Sequence, residues 1–381
     1  MAEQILKMDP LFGRLPGFDE SADRAFSREL RTAARALLEQ AGDHRYADAG
    51  IWLKIGLLLL GTLLFYGLAL AAGSAWSFGV LYVLMHLCAV LLAVNVSHDA
   101  SHGALSPRPW VNALAMRLAA LPMGNEPVFW KQRHVRYHHP YANIEHYDVD
   151  TEANAFLRQT PHQAWYPWFR FQHLYWPVIA ALSLLYVSLV YDWSDRLGKT
   201  PLAKDRLLPG LRGWAVFVFS KLAHLGLFLV LPLVLQGPQL GYGAILLAWL
   251  CGQALASWVL LTLLLGTHWA ETEFFELDAE ARLDHSRDRH AFLTSCDWQP
   301  RPGFLGHLTG GLNHHLTHHL LPGYSHRHYP ALADKVRDLA ARHELDYRRL
   351  GYFELVASQQ RFLKAMGRRP PAVQRSDKGF L

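Results

Sequence analysis

Three histidine clusters punctuate the chain: His98-Asp-Ala-Ser-His102-Gly, His134-Val-Arg-Tyr-His138-His139 and His314-His315-Leu-Thr-His318-His319. Neutral imidazole is a ligand for Zn, Fe, Cu and Ni, so eight or nine such rings in one place imply a metal centre too large for one ion. An α-helix turns each successive side chain by about 100°. His98 and His102 then share a face, as do His134 and His138, while His139 falls about 140° from His134. His315, His318 and His319 lie within about 100° of one another. One such pair on a helix is often only a solvated face. Three clusters, each beside an apolar stretch, point to a shared site.

The bulk composition says where such a site sits. Of 381 residues, 51% are hydrophobic and 18% charged, below the roughly 25% charged of a soluble globular protein. The 13 Trp and 15 Tyr residues suit membrane interfaces. The net charge of +5 comes from basic residues flanking apolar runs, which argues against nucleic acid as a partner. Cys88, Cys251 and Cys296 have no paired spacing, so neither a disulfide framework nor a thiolate metal site is expected. The N-terminal stretch carries Glu3, Asp9, Asp19 and Glu20 and no apolar core, so a secretory signal is not expected there.

Apolar runs at about 51–72 and 76–97, joined by Gly73-Ser74-Ala75, and at about 214–236 and 242–266, joined by Gly237-Pro238-Gln239-Leu240-Gly241, each approach the ~20 residues that span a bilayer. The expected fold is an all-α integral membrane protein with four transmembrane helices in two hairpins, carrying a cytoplasmic helical cap that holds the histidines. Lys and Arg are absent from both hairpin turns and abundant in the N-terminal arm, in 98–212 and in 282–381. The positive-inside rule makes those three regions, both termini and all three clusters cytoplasmic. Residues 174–191 are also apolar enough to span, but crossing once there would put the third cluster on the wrong side. They are read as partly embedded or cytoplasm-facing, as is Val111–Leu121. The expected divisions are a cytoplasmic arm, 1–50, with an amphipathic helix over about Ser21–Gln40; a membrane domain, 51–350; and a cytoplasmic tail, 351–381, disordered after about Gly367.

These residues resemble the integral-membrane fatty acid desaturase and hydroxylase superfamily, which carries three histidine boxes. His98-Asp99-x-x-His102-Gly103 is similar to its first box, including the Asp and Gly. His134-x-x-x-His138-His139 is similar to the second, and Gly310-Gly311-Leu312-Asn313-His314-His315-Leu316-Thr317-His318-His319-Leu320-Leu321-Pro322 to the third. The frame around the third box is closest to the acyl-lipid and front-end branch, and the similarity covers about residues 50–350. Spacing alone leaves two registers open, through His314 or His315; the family frame favours His315. The resemblance implies a ninth ligand at the cytoplasmic end of the fourth span, where His268 stands. The implied metal ligands are therefore His98, His102, His134, His138, His139, His268, His315, His318 and His319. An Asn that assists the metal in the acyl-CoA branch is replaced by Leu264, with Asn313 as a possible substitute.

The same resemblance implies two Fe ions, O₂ as co-substrate, and removal of hydrogen from an unactivated C–H bond of a fatty acyl chain carried on lipid, CoA or a carrier protein. Desaturation is the expected outcome, and hydroxylation or ketolation of a lipid, carotenoid or alkane the alternative. Two electrons per turnover are expected from a separate donor of the ferredoxin or cytochrome b5 type, because neither a four-Cys site nor a His-Pro-Gly-Gly motif occurs in the sequence. Arg133, Arg136, Arg282, Arg287 and Arg289 are candidates to steer an acidic donor. Asp148, Asp150 and Asp297 are candidates to accept the second N–H of ligating imidazoles. His86 and His224, inside apolar runs, are functional candidates by position, with a hydrogen-bonded core histidine the plainer reading for His224. His146, His162, His173, His285, His290, His307, His326, His328 and His343 read as surface or supporting groups. A metal transporter would need mid-span histidines, which only His86 and His224 supply. A zinc hydrolase or seven-span receptor would use about three ligands.

Overall fold

The computed structural model describes residues 15–277 and 281–370; the extreme N-terminus and the tail beyond 370 lie outside the described residues. Helix α1 (Arg24–Ala41) precedes a hairpin of α2 (Ala49–Leu70) and α3 (Ala75–Ser101), followed by α4 (Pro109–Ala120). Helix α5 (Pro127–Gln132) runs on through a π-helical stretch, Arg133–His138, into His139–Tyr141. Three long helices come next: α6 (Pro167–Arg196), α7 (Gly210–Leu240) and α8 (Tyr242–Trp269). Shorter α9 (Arg287–Thr294), α10 (His315–Leu320), α11 (Tyr329–Arg342) and α12 (Tyr352–Met366) build the remainder.

Five helices, α2, α3, α6, α7 and α8, are long and apolar enough to cross a membrane, as befits an integral membrane protein. Leu53, Leu57, Leu60 and Leu63 on α2 are 59–65% exposed, a surface that lipid rather than water would cover. The first hairpin turns where Ser74 caps α3 by accepting the Ser77 N–H at 3.1 Å, the usual service of an N-terminal serine. The second turn is tighter than the five residues expected. Helix α7 continues through Pro238 to Leu240, and Gly241 alone, at φ 88°, reverses the chain, a conformation glycine adopts at little cost.

The hairpins are joined by polar contacts that the sequence explains. Pro232 has no N–H, so the Phe228 carbonyl one turn earlier loses its helical donor. The backbone there widens into a π-helical stretch, Gly226–Val230, and the hydroxyls of Tyr66 and Tyr82 donate to the Leu227 and Phe228 carbonyls. Gly252 lets α8 approach α3 closely; a Cβ there would lie 2.4 Å from His86 Nδ1. Phe78, Tyr82, Met85, Val90, Ile245 and Trp249 fill the core between the hairpins.

Helix α6 is continuous over 30 residues, longer than the 174–191 segment expected. Both of its ends meet polar groups of the cap. Gln172 Nε2 donates to the Arg158 and Leu363 carbonyls, and at the other end Asp192 and Asp195 pair with Arg133, the neighbour of His134. Two-residue β1 (Gly17–Phe18) pairs in parallel with β2 (Arg282–Leu283), and β3 (Asp297–Gln299) with β4 (Arg349–Gly351).

The arm and the tail are parts of the packed cap. Phe26, Leu30 and Ala34 form the i, i+4, i+8 stripe of α1 and are buried against Leu332, Val336 and Leu339 of α11. Each such Phe or Leu contributes roughly 1.5–3 kcal/mol by leaving water. Helix α12 packs on α8, where a Cβ at Gly266 would strike Leu355. Residues 352–366, within the expected C-terminal segment, are thus docked on the membrane helices.

Candidate metal centre

The histidines are carried by helix ends. His98 and His102 close α3, and His268 lies in the last turn of α8. The first box is pinned by Asp99, which accepts from Ser325 Oγ (2.7 Å) and His326 Nδ1 (2.9 Å), while His326 Nε2 lies 2.8 Å from Lys54 Nζ. The third box enters through Gly310 and Gly311, at φ 60° and 82°. A Cβ at Gly310 would sit 2.6 Å from the Val94 carbonyl oxygen of α3, which explains the paired glycines. Asp297 then holds α10 by accepting the Thr317 N–H at 3.1 Å and the Thr317 hydroxyl at 2.7 Å. It supports the helix backbone rather than a ligating ring.

All nine expected histidines converge, in two groups: His98, His102, His134, His139 and His318, and His138, His268, His315 and His319. Within each group the ring nitrogens lie within 4.8 Å of one another. One part of the geometric expectation fails. His134 and His138, expected on one face, belong to different groups, and His139 joins His134 instead. The cause is the π-helical stretch Arg133–His138, whose i→i+5 pattern brings residues five apart together. The third box divides likewise, His315 with His319 and His318 alone with the five. His314 is in neither group; its Nδ1 faces Asp297 at 3.8 Å. Asn313 accepts from Thr309 Oγ1 at 2.6 Å.

The donor set fits metal ions. His139 Nε2 lies 3.1 Å from His134 Nε2 and 2.9 Å from His318 Nε2. His315 Nε2 lies 2.7 Å from His268 Nε2 and 3.3 Å from His319 Nε2. Three such nitrogens cannot all be satisfied by one another's protons, but their lone pairs can share a cation. Both ring nitrogens of His98 and Nε2 of His102 are buried without a protein partner, an expensive arrangement in the absence of a ligand. Burial first, then the charge of neighbouring imidazoles, holds His102, His134, His139, His315, His318 and His319 well below the ordinary imidazole range. They are neutral at pH 7, the form that binds metal. His138 differs. Burial opposes its charge, but Asp148 and Asp150 outweigh that and push it up to about 9, so a metal ion held at its Nε2 would displace a proton from the ring.

A match to the family model for fatty acid desaturases extends over residues 74–351, well over half the chain and inclusive of all nine histidines. The chain belongs to the fatty acid desaturase family. It is accordingly an oxidoreductase that desaturates fatty acyl chains. It is 29% identical over 364 residues to an sn-1 linoleoyl-lipid 6-desaturase of Synechocystis sp., covering 91% of this chain and 96% of that protein. Over 286 residues it is 28% identical to an acyl-lipid (8-3)-desaturase of Physcomitrium patens, covering 71% of this chain and 58% of that protein. It is 30% identical to an acyl-lipid (7-3)-desaturase of Rebecca salina, covering 85% and 71%.

The desaturase has a cavity of about 690 Å³ beside the histidines, within the roughly 300–1,000 Å³ of small-molecule sites. Val90, Ala93 and Val94 of α3, Ile179, Ala180 and Leu184 of α6, and Leu260 and Leu264 of α8 line its apolar part. His98, His134, His138, His268 and His315 also face it. Asp150, Glu152, Asn154 and Lys199 line a polar part.

Several supporting groups carry no signal in the spacing. Tyr329 Oη lies 2.7 Å from His318 Nδ1, the Thr294 carbonyl lies 2.8 Å from His268 Nδ1, and Trp130 stacks on His134 with ring centroids 5.0 Å apart. His326, read as a surface or supporting group, is buried and supports the first box through Asp99. His290, read the same way, is buried against the Ala142 carbonyl at 2.8 Å. His86 and His224 are core histidines bonded to the Tyr82 and Leu121 carbonyls. Arg133 is only 4% exposed and paired with two carboxylates, so it cannot steer a donor.

Proposed function

We propose that this desaturase acts on a fatty acyl chain esterified in a membrane lipid, with two Fe ions held by the nine histidines and O₂ as co-substrate. The observation that carries the proposal is the convergence of nine buried or half-buried imidazoles in a five and a four, with His98, His134, His138, His268 and His315 facing a largely apolar cavity. Bound there, the iron pair supplies oxygen activation and the removal of hydrogen from an unactivated C–H bond. The chain's own residues do the rest. Asp148 accepts the Nδ1–H of His138 and keeps Nε2 free for metal, as Thr294 O does for His268. The apolar walls of α3, α6 and α8 hold the alkyl chain extended and keep water from it. The acyl-lipid names of the relatives support the carrier.

Electrons are delivered by a donor protein of the ferredoxin or cytochrome b5 type. Arg136 and Arg287, whose side chains are 53% and 57% exposed, are available to meet an acidic donor face. Helices α2, α3, α7 and α8 span the bilayer, with the cap and the histidines cytoplasmic. The two ends of α6, both tied to cap residues, support an interfacial course for that helix. Membrane-impermeant thiol labelling from outside should reach a cysteine at Ser74 or Gly241 and not one at Lys199; labelling of Lys199→Cys would reject this topology.

The activity is tested by gas chromatography–mass spectrometry of total fatty acids from a host making the chain, beside a His138→Ala control. A new unsaturated acid absent from the control is expected. A hydroxylated product would reject desaturation, and unchanged acids with bound iron would reject an acyl substrate or indicate a missing donor.

A further inference from the structure

The cavity has two walls that belong to different parts of the chain. One carries metal-facing His134 and His138 on the π-helical stretch. The other is α6, with Tyr186, Val187 and Tyr191 facing the same space. Arg133 joins them. Its guanidinium forks to Asp192 Oδ1 at 2.8 Å and Asp195 Oδ2 at 2.7 Å, and lies over the Tyr191 ring, 4.5 Å from its centroid. The carboxylates are fixed in turn. Asp192 accepts from the Glu126 N–H and from Lys221 Nζ, both at 2.6 Å, and Asp195 accepts from the Thr200 hydroxyl at 2.5 Å. Both carboxylates and the guanidinium are almost fully buried.

A planar fork holding two buried carboxylates is a rigid spacer, which a lysine cannot reproduce. Nothing in iron binding requires it, since Arg133 touches no ligating nitrogen. Its position between the walls gives it another use. Neighbouring carbons of an extended alkyl chain are separated by about an ångström along its axis, and a misplacement of about 1 Å can cost on the order of 100-fold in rate. The spacing and register of the two walls therefore choose the carbon that reacts.

We propose that Arg133, with Asp192 and Asp195, is a positioning residue that sets which carbon of the acyl chain is oxidised. The inference rests on the acyl-chain reading given above, but not on whether the product is an alkene or an alcohol. Loosening the fork lets α6 shift against the second histidine box, and adjacent carbons then compete.

The experiment compares wild type, Arg133→Lys and Asp195→Asn in the same expressing host, reading product position by mass spectrometry of derivatised fatty acids and iron per chain in purified protein. Arg337→Lys, whose pairs with Asp334 and Asp338 lie in solvent, is the control. The expected result is retained iron in both fork variants, with the minor positional isomer raised about tenfold, and wild-type position in the control. Position is a ratio, so a lower yield of folded protein does not obscure it; if Arg133→Lys fails to accumulate, Asp195→Asn decides. A wild-type position in both fork variants overturns the proposal, whatever their turnover. So does loss of all product from both, because the pair would then serve turnover rather than register. Hydroxylated product from wild type would reject desaturation while still reporting position.

Discussion

The Nε2 atoms of His134 and His139 lie 3.1 Å apart although the residues are five apart in sequence. In an α-helix they would diverge; the π-helical stretch between them aligns them. His138 is thereby turned into the other group, so the second box serves both. His139→Ala and His138→Ala should each lower iron from two ions to about one per chain, with activity lost in both. Iron analysis of purified protein checks this. Full iron in either variant would show that its ring is not a ligand.

Asp148 is buried and accepts from His138 Nδ1 at 3.1 Å, whereas Asp150, at 3.4 Å from the same nitrogen, has a side chain 56% exposed. Asp148→Asn should weaken iron binding by about 10–100-fold, the usual effect of removing a carboxylate behind a ligating imidazole. Asp150→Asn should do less, because solvent screens the pair. Iron titrations of the two variants separate these outcomes, and equal losses would contradict them.

The third box offers two adjacent histidines, and only His315 lies with His268 and His319. His315→Ala should abolish activity and reduce bound iron. His314→Gln should keep iron at the wild-type level and activity within a few-fold, since the ring faces Asp297 from 3.8 Å. Loss of iron from His314→Gln would reverse the assignment.

Ala93 lines the cavity five residues before His98, roughly 7–8 Å along α3. Ala93→Leu should shift preference toward shorter acyl chains, at a stability cost of about 1–3 kcal/mol if the added carbons crowd the wall. Competition between acyl donors of different length measures this, and an unchanged preference would show that the chain runs elsewhere.

Much was legible in the residues. Two apolar pairs separated by short turns announced the hairpins because a bilayer demands a minimum apolar length. Histidines four apart at the ends of such runs announced groups of imidazoles that could hold metal. The course of α6 was harder, because apolarity does not distinguish a crossing from a helix lying along the interface, and its tethers, Gln172 to Arg158 and Asp192 to Arg133, are long-range. Likewise the docking of α12 rests on Gly266 admitting Leu355, which no local pattern records.

By itself, then, the sequence determined the kind of chemistry: three clusters of imidazoles suited to metal and an apolar scaffold to carry them, since ligand type and span length are properties of residues and short windows. The tertiary structure alone decided the division of the histidines into a five and a four, and the fork of Arg133 across the cavity. Each depends on a local departure from α-helical pitch or on partners more than 50 residues away, which periodicity along a chain does not encode.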